Sequence, residues 1–370
     1  MPRRVTYIVA NIDKALEFEW VADLLDGDRF ELNFILLNPG PSTLEAELVQ
    51  RRIPCERVTY RGYRDLPGAL VRVIWLLRRE RPRTVHAHLL PACMVGLTAA
   101  RVLNVTQRVY TRHHSTFHHD YSPRWVHVDR FLNRLATHVV AISENVGFVL
   151  REMEMVPASK IRLIHHGFRF ADFDEVPEQN VEALRAKYDI GDSSPVIGVI
   201  ARYMELKGIE YIVEAARIIL RTHPNALFLF ANARGNPSVQ ATVRELPAEN
   251  FREIPFEEDV FALYRLFDVY VHVPIGDRIE AFGQTYVEAL IARVPSVFTI
   301  SGVAREFIQD GRNALVVPYC SSAPTAKAIL RILADDALAH RLSEAGRQDV
   351  EARFRVEGMV EALSTVYGEA

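Results

Sequence analysis

Short apolar runs alternate with amphipathic stretches of helical period along the chain. Such runs, bounded by turn residues, are typical of buried parallel strands, and their alternation with helices predicts parallel sheets covered on both faces. The pattern predicts the same number of strands in each half. They lie near residues 4–10, 31–37, 84–88, 107–112, 137–142 and 161–165, then near 195–201, 226–231, 251–255, 268–273, 295–299 and 314–317.

A polar segment near residues 171–192 separates the two strand sets. At 370 residues, the chain also exceeds what one hydrophobic core usually serves. We therefore expect two doubly wound, Rossmann-like α/β domains, over 1–180 and 192–352, followed by an amphipathic helix over 353–370.

The stretch 267–293 carries the clearest candidate chemistry. A buried strand ends near Val273, a loop follows, and a helix begins after Gly283. Ligands of open α/β sheets bind outside the carboxyl ends of the strands, and a helix start with free N–H groups favours an anion such as a diphosphate. Here those groups belong to Gly283, Gln284 and Thr285. On spacing alone, an ordinary strand–helix unit with two solvated glutamates, Glu280 and Glu288, is the simpler interpretation.

A second candidate group follows the strand at 195–201. Arg202 stands at the strand end, and Lys207 precedes a predicted helix. A guanidinium and an ammonium at one sheet edge suit a diphosphate, although solvated surface charges would give the same pattern. With a carboxylate on either side of the anion, the two stretches together predict a site for a sugar diphosphate.

The first strand–helix turn, at Asn11, has no glycine. A dinucleotide site would require G-x-G-x-x-G here, so the turn argues against a nicotinamide or flavin enzyme. If the enzyme transfers a sugar, the turn at Asn11 is free to face the molecule that accepts it.

Histidines collect at two strand ends of the first half, and four of them are His88, His113, His114 and His118. A metal is one interpretation, but no carboxylate or thiol accompanies them at a known spacing, so we predict no metal. Hydrogen bonding to a sugar or phosphate oxygen fits better, as does a structural role at a strand end.

Residues 69–83 combine an apolar helix face with five arginines. A core-packed helix with a charged face is the simpler interpretation, and contact with anionic lipid is the alternative.

Composition narrows the class of protein. Hydrophobic content of 49%, charged content of 25% and a net charge of −3 describe a globular protein without general affinity for nucleic acid. No apolar run reaches membrane-spanning length, and the N-terminus resembles no secretory signal. The three cysteines, Cys55, Cys93 and Cys320, show no metal spacing. These features predict a cytoplasmic location, with peripheral contact at the inner membrane face as an option.

In combination, these residues resemble glycosyltransferase family 4, the retaining GT-B enzymes that use nucleotide-diphosphate sugars. The match lies mainly within 195–320 and rests on one set of motifs: Arg202 with Lys207-Gly208, Glu280-x-Phe282-Gly283-x4-Glu288, Gly302, and Gly311-x2-Ala314 through Pro318. The resemblance implies two domains facing an interdomain cleft, with the last helix returning to the first domain.

The resemblance also implies roles for individual residues. Arg202 and Lys207 would neutralise the diphosphate, Glu280 would hold sugar hydroxyls and Glu288 the ribose. His113 would lie beside the donor sugar. Phe282, Gly283, Gln284 and Thr285 would contact sugar and phosphate, Pro255 and Phe256 would border the base, and Asn11, His88, His114 and His118 are candidates for the acceptor side.

Three departures from the family pattern stand out. The first turn lacks the usual glycine pair, His166 replaces the asparagine before the linker glycine, and the loop between Pro274 and Glu280 is long. The first two concern the acceptor side, and the third concerns the choice of donor sugar.

The function predicted from the sequence is a metal-independent, retaining glycosyltransferase acting by front-face substitution. It would need no cofactor and would move a sugar, with a UDP-sugar favoured, to a glycan or lipid-linked acceptor in polysaccharide biosynthesis. An epimerase or phosphorylase on the same fold, and a non-catalytic sugar-nucleotide-binding protein, are the alternatives. Product analysis separates these alternatives from a transferase.

Overall fold

The computed structural model describes residues 2–191 and 193–369. The chain forms two compact units: Met1–Phe168 together with Val356–Ala370, and Arg169–Arg355. Each unit is built on one parallel sheet, as the alternating pattern predicted.

The first unit contains a seven-stranded sheet in the order β3-β2-β1-β4-β5-β6-β7. Its strands are β1 (Arg3–Ala10), β2 (Phe30–Asn38), β3 (Cys55–Thr59), β4 (Thr84–His88), β5 (Gln107–Arg112), β6 (His138–Ala141) and β7 (Ile161–Leu163). Its helices are α1 (Leu16–Leu24), α2 (Thr43–Gln50), α3 (Leu66–Glu80), α4 (Leu90–Val102), α5 (Phe117–Tyr121), α6 (Arg124–Leu135), α7 (Glu144–Phe148) and the last helix, α17 (Val356–Gly368).

The second unit contains a six-stranded sheet in the order β10-β9-β8-β11-β12-β13. Its strands are β8 (Val196–Ile200), β9 (Leu227–Ala231), β10 (Phe251–Ile254), β11 (Val269–His272), β12 (Ser296–Phe298) and β13 (Leu315–Val316). Its helices are α8 (Ala171–Asp174), α9 (Glu178–Lys187), α10 (Ile209–Ile219), α11 (Pro237–Val243), α12 (Val260–Tyr264), α13 (Gln284–Ile291), α14 (Ala304–Phe307), α15 (Ser322–Leu333) and α16 (Asp336–Glu351).

In both sheets the strand order reverses beside the first strand of the unit. β1 pairs in parallel with β2 and β4, and β8 pairs in parallel with β9 and β11. Loops at the carboxyl ends of strands on either side of such a reversal leave a crevice in which ligands bind. The predicted fold class, two doubly wound α/β units, is confirmed.

β3 is the strand that the apolar pattern did not predict. Its sequence, Cys-Glu-Arg-Val-Thr, contains no apolar run, and only Val58 of the strand is buried. It lies at the edge of the sheet, where one side of the strand needs no partner and charged residues are tolerated.

The last helix packs within the first unit. The Tyr367 hydroxyl lies 2.5 Å from the hydroxyl of Tyr7 on β1 and 2.6 Å from Nδ1 of His86 on β4, and all three side chains are buried. α17 therefore covers the sheet through hydrogen bonds as well as apolar contacts.

α3 turns its apolar side to the core of the first unit, where Val73 and Leu77 are buried. Its opposite face exposes arginines together with Val71 and Trp75. Within the described residues, no helix combines the length and apolarity needed to cross a bilayer.

Candidate functional site

The second unit places the 267–293 stretch as predicted, with β11 leading through a loop into α13. Gly283 caps the helix start with a left-handed backbone at φ 86°, which glycine adopts without steric cost. The first N–H groups of a helix lack intrahelical partners, so those of Gln284 and Thr285 at the start of α13 can serve an anion.

Three side chains meet in the loop before α13. Lys207 Nζ lies 2.5 Å from Glu280 Oε1, and Nε2 of His272 lies 3.0 Å from the same oxygen. Burial alone would raise the pKa of Glu280, but the charge of Lys207 and the hydrogen bond with His272 outweigh it and hold the pKa well below its usual value. Burial lowers the pKa of His272, so its neutral imidazole donates to an ionised carboxylate.

Glycines hold the surrounding loops close together. Gly208, with φ 66°, lies against β11 so closely that an added Cβ would be 2.2 Å from the Val273 carbonyl oxygen. A Cβ on Gly302 would be 2.5 Å from the Phe282 carbonyl oxygen. These approaches bring Lys207 and Glu280 to one place although 73 positions separate them in the sequence.

Glu288 lies one turn inside α13 and contacts a different partner. Its Oε2 accepts a hydrogen bond of 2.9 Å from the Tyr264 hydroxyl on α12. Burial raises the pKa of Glu288 to about 7, and the Tyr264 hydrogen bond offsets this only in part. The pKa values of the two glutamates are thus shifted in opposite directions. Glu280 is ionised, and the pKa of Glu288 lies close to neutral pH.

Arg202 and Phe256 present exposed groups at two further strand ends. Arg202 follows β8 and is exposed, with no ion pair to any described residue. Phe256 follows β10 and is 50% exposed, and the guanidinium carbon of Arg234 lies 5.4 Å from its ring centroid. Pro255 beside it is also exposed. An exposed ring at this edge is available for stacking on a base.

In the first unit, Asn11 lines a cavity of about 320 Å³ between the loops that follow β1 and β2. Asn38 holds the first loop in place, because its side chain accepts from the backbone N–H of Ile12 and donates to the Ile12 carbonyl, at 3.1 and 2.6 Å. The glycine-free turn is therefore fixed by an asparagine from the neighbouring strand.

His88 and His113 form a pair at the carboxyl ends of β4 and β5. His88 Nδ1 lies 3.2 Å from His113 Nε2, and His88 Nε2 is buried without a hydrogen-bond partner among the described residues. His113 also stacks on His166, with ring centroids 5.7 Å apart. Burial lowers the pKa of His113 to about 4, so it is neutral at pH 7.

His114 and His118 point to a carboxylate instead. His118 Nδ1 and His114 Nε2 lie 2.7 and 3.2 Å from Oδ2 of Asp129 on α6. Arg112 ties this group to a second acid, with Nη2 3.1 Å from Asp129 Oδ2 and 2.6 Å from Glu154 Oε1. The predicted acceptor-side histidines thus divide into two local groups.

The structure brings together Lys207 and Glu280 directly and the Phe282–Thr285 segment beside them, but it gives Glu288 a separate partner. Sequence reasoning missed His272, Tyr264 and Asp129. His272 is the last residue of β11, a position that itself signals a ligand-facing edge. No local signal marks Tyr264 or Asp129, because each reaches its partner from another helix.

Comparison with known protein families identifies glycosyltransferase sequences in both units. The sequence family described as "Glycosyltransferase Family 4" matches residues 21–171. The family described as "Glycosyl transferases group 1" matches residues 180–349. The two matches together cover most of both sheets.

Relatives that match most of the chain are also glycosyltransferases. The chain is 24% identical to alpha-D-kanosaminyltransferase of Streptomyces kanamyceticus over 83% of this chain and 85% of that protein. It is 22% identical to the capsular polysaccharide biosynthesis glycosyltransferase CapM of Staphylococcus aureus, over 81% and 80%. The crystal structure of Anabaena Alr3699/HepE in complex with UDP-glucose superposes with a TM-score of 0.84 at 19% identity, over 99% of this chain and 100% of that one. The chain belongs to glycosyltransferase family 4 and is an enzyme of the GT-B glycosyltransferase type.

Proposed function

We propose that the enzyme is a retaining transferase that takes a sugar from a UDP-sugar without a metal ion and delivers it to a glycan or lipid-linked acceptor. The observation that carries this proposal is the Lys207–Glu280–His272 group beside the open start of α13. It combines a cation for phosphate, a fixed carboxylate for hydroxyls, and backbone N–H groups for an anion.

The proposed reaction is a front-face substitution. The bond between the anomeric carbon and the diphosphate oxygen breaks, the acceptor oxygen bonds to the same face of that carbon, and the acceptor proton passes to the departing diphosphate. Arg202, Lys207 and the α13 N-terminus stabilise the negative charge that develops on the leaving group. The part that His113 would play beside the donor sugar stays a prediction.

A uridine diphosphate donor is supported by the Anabaena structures, which are described with UDP, with UDP and glucose, and with UDP-glucose. In this chain, Pro255 and Phe256 offer an exposed surface for the base, and Glu288 is the group for the ribose hydroxyls. The long loop before Glu280, where Arg305 Nη1 lies 2.5 Å from Asp277 Oδ2, bears on the choice of sugar.

A glycan or lipid-linked acceptor is supported by the activities for which relatives are named. They include capsular polysaccharide and lipopolysaccharide core biosynthesis and a monoglucosyldiacylglycerol synthase. We assign the acceptor to the first unit, where the cavity beside Asn11 provides room for a sugar ring.

We further propose that α3 contacts anionic lipid. Trp75 is 49% exposed, and the guanidinium carbons of Arg72 and Arg79 lie 4.3 and 5.1 Å from its ring centroid. An exposed tryptophan framed by arginines suits the headgroup region of an anionic bilayer. Co-sedimentation with anionic vesicles, reduced in Trp75→Ala and absent with zwitterionic vesicles, would support this contact. Equal sedimentation of variant and wild type would exclude it.

Release of UDP from a panel of UDP-sugars, with and without glycan acceptors and in the presence of EDTA, tests the main proposal. We expect acceptor-dependent release that chelation does not reduce, with the product anomer matching the donor by NMR. Loss of turnover in EDTA that Mn²⁺ or Mg²⁺ restores would contradict metal independence. An inverted product would contradict retention.

A further inference from the structure

A cluster of candidate metal ligands lies in the first unit. His114 lies in the loop after β5, His118 in the short helix α5, and Asp129 on α6. Each offers one ligand atom, and these atoms lie within 4.8 Å of one another. Two imidazole nitrogens and a carboxylate oxygen are a donor set that Zn²⁺ accepts.

The hydrogen bonds around Asp129 are unevenly distributed. Oδ2 faces three nitrogens, from Arg112, His114 and His118, at 3.1, 3.2 and 2.7 Å. Oδ1 is equally buried and has no hydrogen-bond partner among the described residues. A buried carboxylate oxygen without a partner is costly, and a cation bound by both oxygens of Asp129 would satisfy Oδ1.

The charge of the buried cluster points the same way. Arg112 is the one guanidinium within it, and it faces two carboxylates, Asp129 and Glu154. One buried guanidinium is therefore shared between two buried carboxylates. A second cation beside Asp129 would be electrostatically favoured there.

We propose that His114, His118 and Asp129 bind a divalent transition-metal ion of the Zn²⁺ class. This proposal departs from the sequence-based prediction of no metal, which did not include Asp129. A cavity of about 220 Å³ is lined by two of the three ligands, His114 and Asp129, and leaves room beside them for a bound water. The ion fastens the loop after β5 and α5 to α6. No step of the proposed sugar transfer uses this ion.

Metal titration of the full-length chain, after removal of any affinity tag and treatment with chelator, tests this site. We expect about one equivalent of Zn²⁺ to bind and to raise the melting temperature, and Co²⁺ to give visible d–d absorption bands. His114→Gln and His118→Gln should each weaken Zn²⁺ binding at least about tenfold. His119→Gln is the matched control, because His119 Nε2 lies 3.3 Å from Glu154 Oε1 beside the cluster but outside the ligand set.

Absence of Zn²⁺ and Co²⁺ binding in the wild type would overturn the proposal. Equal binding in the wild type and both ligand variants would overturn it as well, and so would an equal loss in His119→Gln. If His118→Gln does not fold, His114→Gln decides the outcome, since the His114 side chain is only partly buried and tolerates replacement.

Discussion

Glu280 is held by two neighbours of different character, a lysine ammonium and a neutral imidazole, both on one carboxylate oxygen. This contact keeps the acid ionised in a buried setting, where it can accept hydrogen bonds from sugar hydroxyls. Because we also assign Lys207 to the diphosphate, a bound donor would contact a lysine that Glu280 already holds in position.

Replacement of Lys207 tests that double role. Lys207→Ala should lower kcat by about 10²–10³, because it removes a charge that stabilises the leaving group. Steady-state UDP release measures the effect. Lys187→Ala is a suitable control. Lys187 also forms a lysine–glutamate ion pair, 2.7 Å from Glu257, but the Lys187 side chain is exposed. Near-native turnover in Lys207→Ala would remove the lysine from the chemistry.

The raised pKa of Glu288 predicts a pH-dependent contribution to stability. The pKa of this carboxyl is about 7 in the folded state and 4.5 for an ordinary glutamate, so between these pH values the folded chain holds more protons than the unfolded chain. The contribution is complete below pH 4.5 and is lost as pH rises through 7. The wild type should therefore lose thermal stability relative to Glu288→Gln between pH 5 and pH 8. Parallel melting curves for the two proteins would show that Glu288 titrates normally.

At the scale of elements, close packing of loops at the carboxyl ends of β8 and β11 positions Lys207 and Glu280, the residues we propose to bind the donor. Gly208 allows the loop after β8 to touch β11, and the backbone N–H of Ile275 donates to the Leu206 carbonyl at 3.1 Å. The position of Lys207 beside Glu280 follows from these contacts.

Gly208→Ala should therefore destabilise the enzyme by about 1–3 kcal/mol, because alanine is strained at φ 66° and its Cβ meets a carbonyl oxygen. Urea unfolding measures the loss. Gly358→Ala on α17 is the control, because nothing lies within 4 Å of its added Cβ and the helix gains up to about 1 kcal/mol of propensity. A neutral Gly208→Ala would mean that the loops do not need this approach.

The elements were largely predictable from the sequence, and the contacts between them were not. Apolar runs located every strand except β3, whose charged edge sequence has no such run. The Glu280–Glu288 motif marked the loop before α13, where Glu280 contacts Lys207 and His272. The Tyr264–Glu288 and His118–Asp129 pairs escaped prediction, because side chains on different helices come together only through tertiary packing, which local periodicity does not encode.

At the scale of the whole molecule, the first strand and the last helix belong to the same unit. Residues near the two termini share a buried hydrogen-bond network through Tyr7, His86 and Tyr367. The last helix is thus part of the first unit's core and is not an appended tail.

Tyr367→Phe should cost about 1–3 kcal/mol of unfolding free energy, because it leaves the buried Tyr7 hydroxyl and His86 Nδ1 without this partner. Tyr121→Phe, at an exposed ring, should change stability by less than about 0.5 kcal/mol. Denaturant titration of both variants provides the comparison. Equal stability would show that apolar contacts alone hold α17.

The central claim is that Arg202, Lys207 and the start of α13 grip the diphosphate of a uridine donor without a metal. Calorimetric titration of UDP in EDTA, with the wild type and with Arg202→Ala, tests it most directly. Saturable binding by the wild type, weakened about 10–100-fold in the variant, is the expected result, as for loss of one charge-assisted contact. Failure of the wild type to bind UDP in EDTA, or equal binding by both proteins, would contradict it.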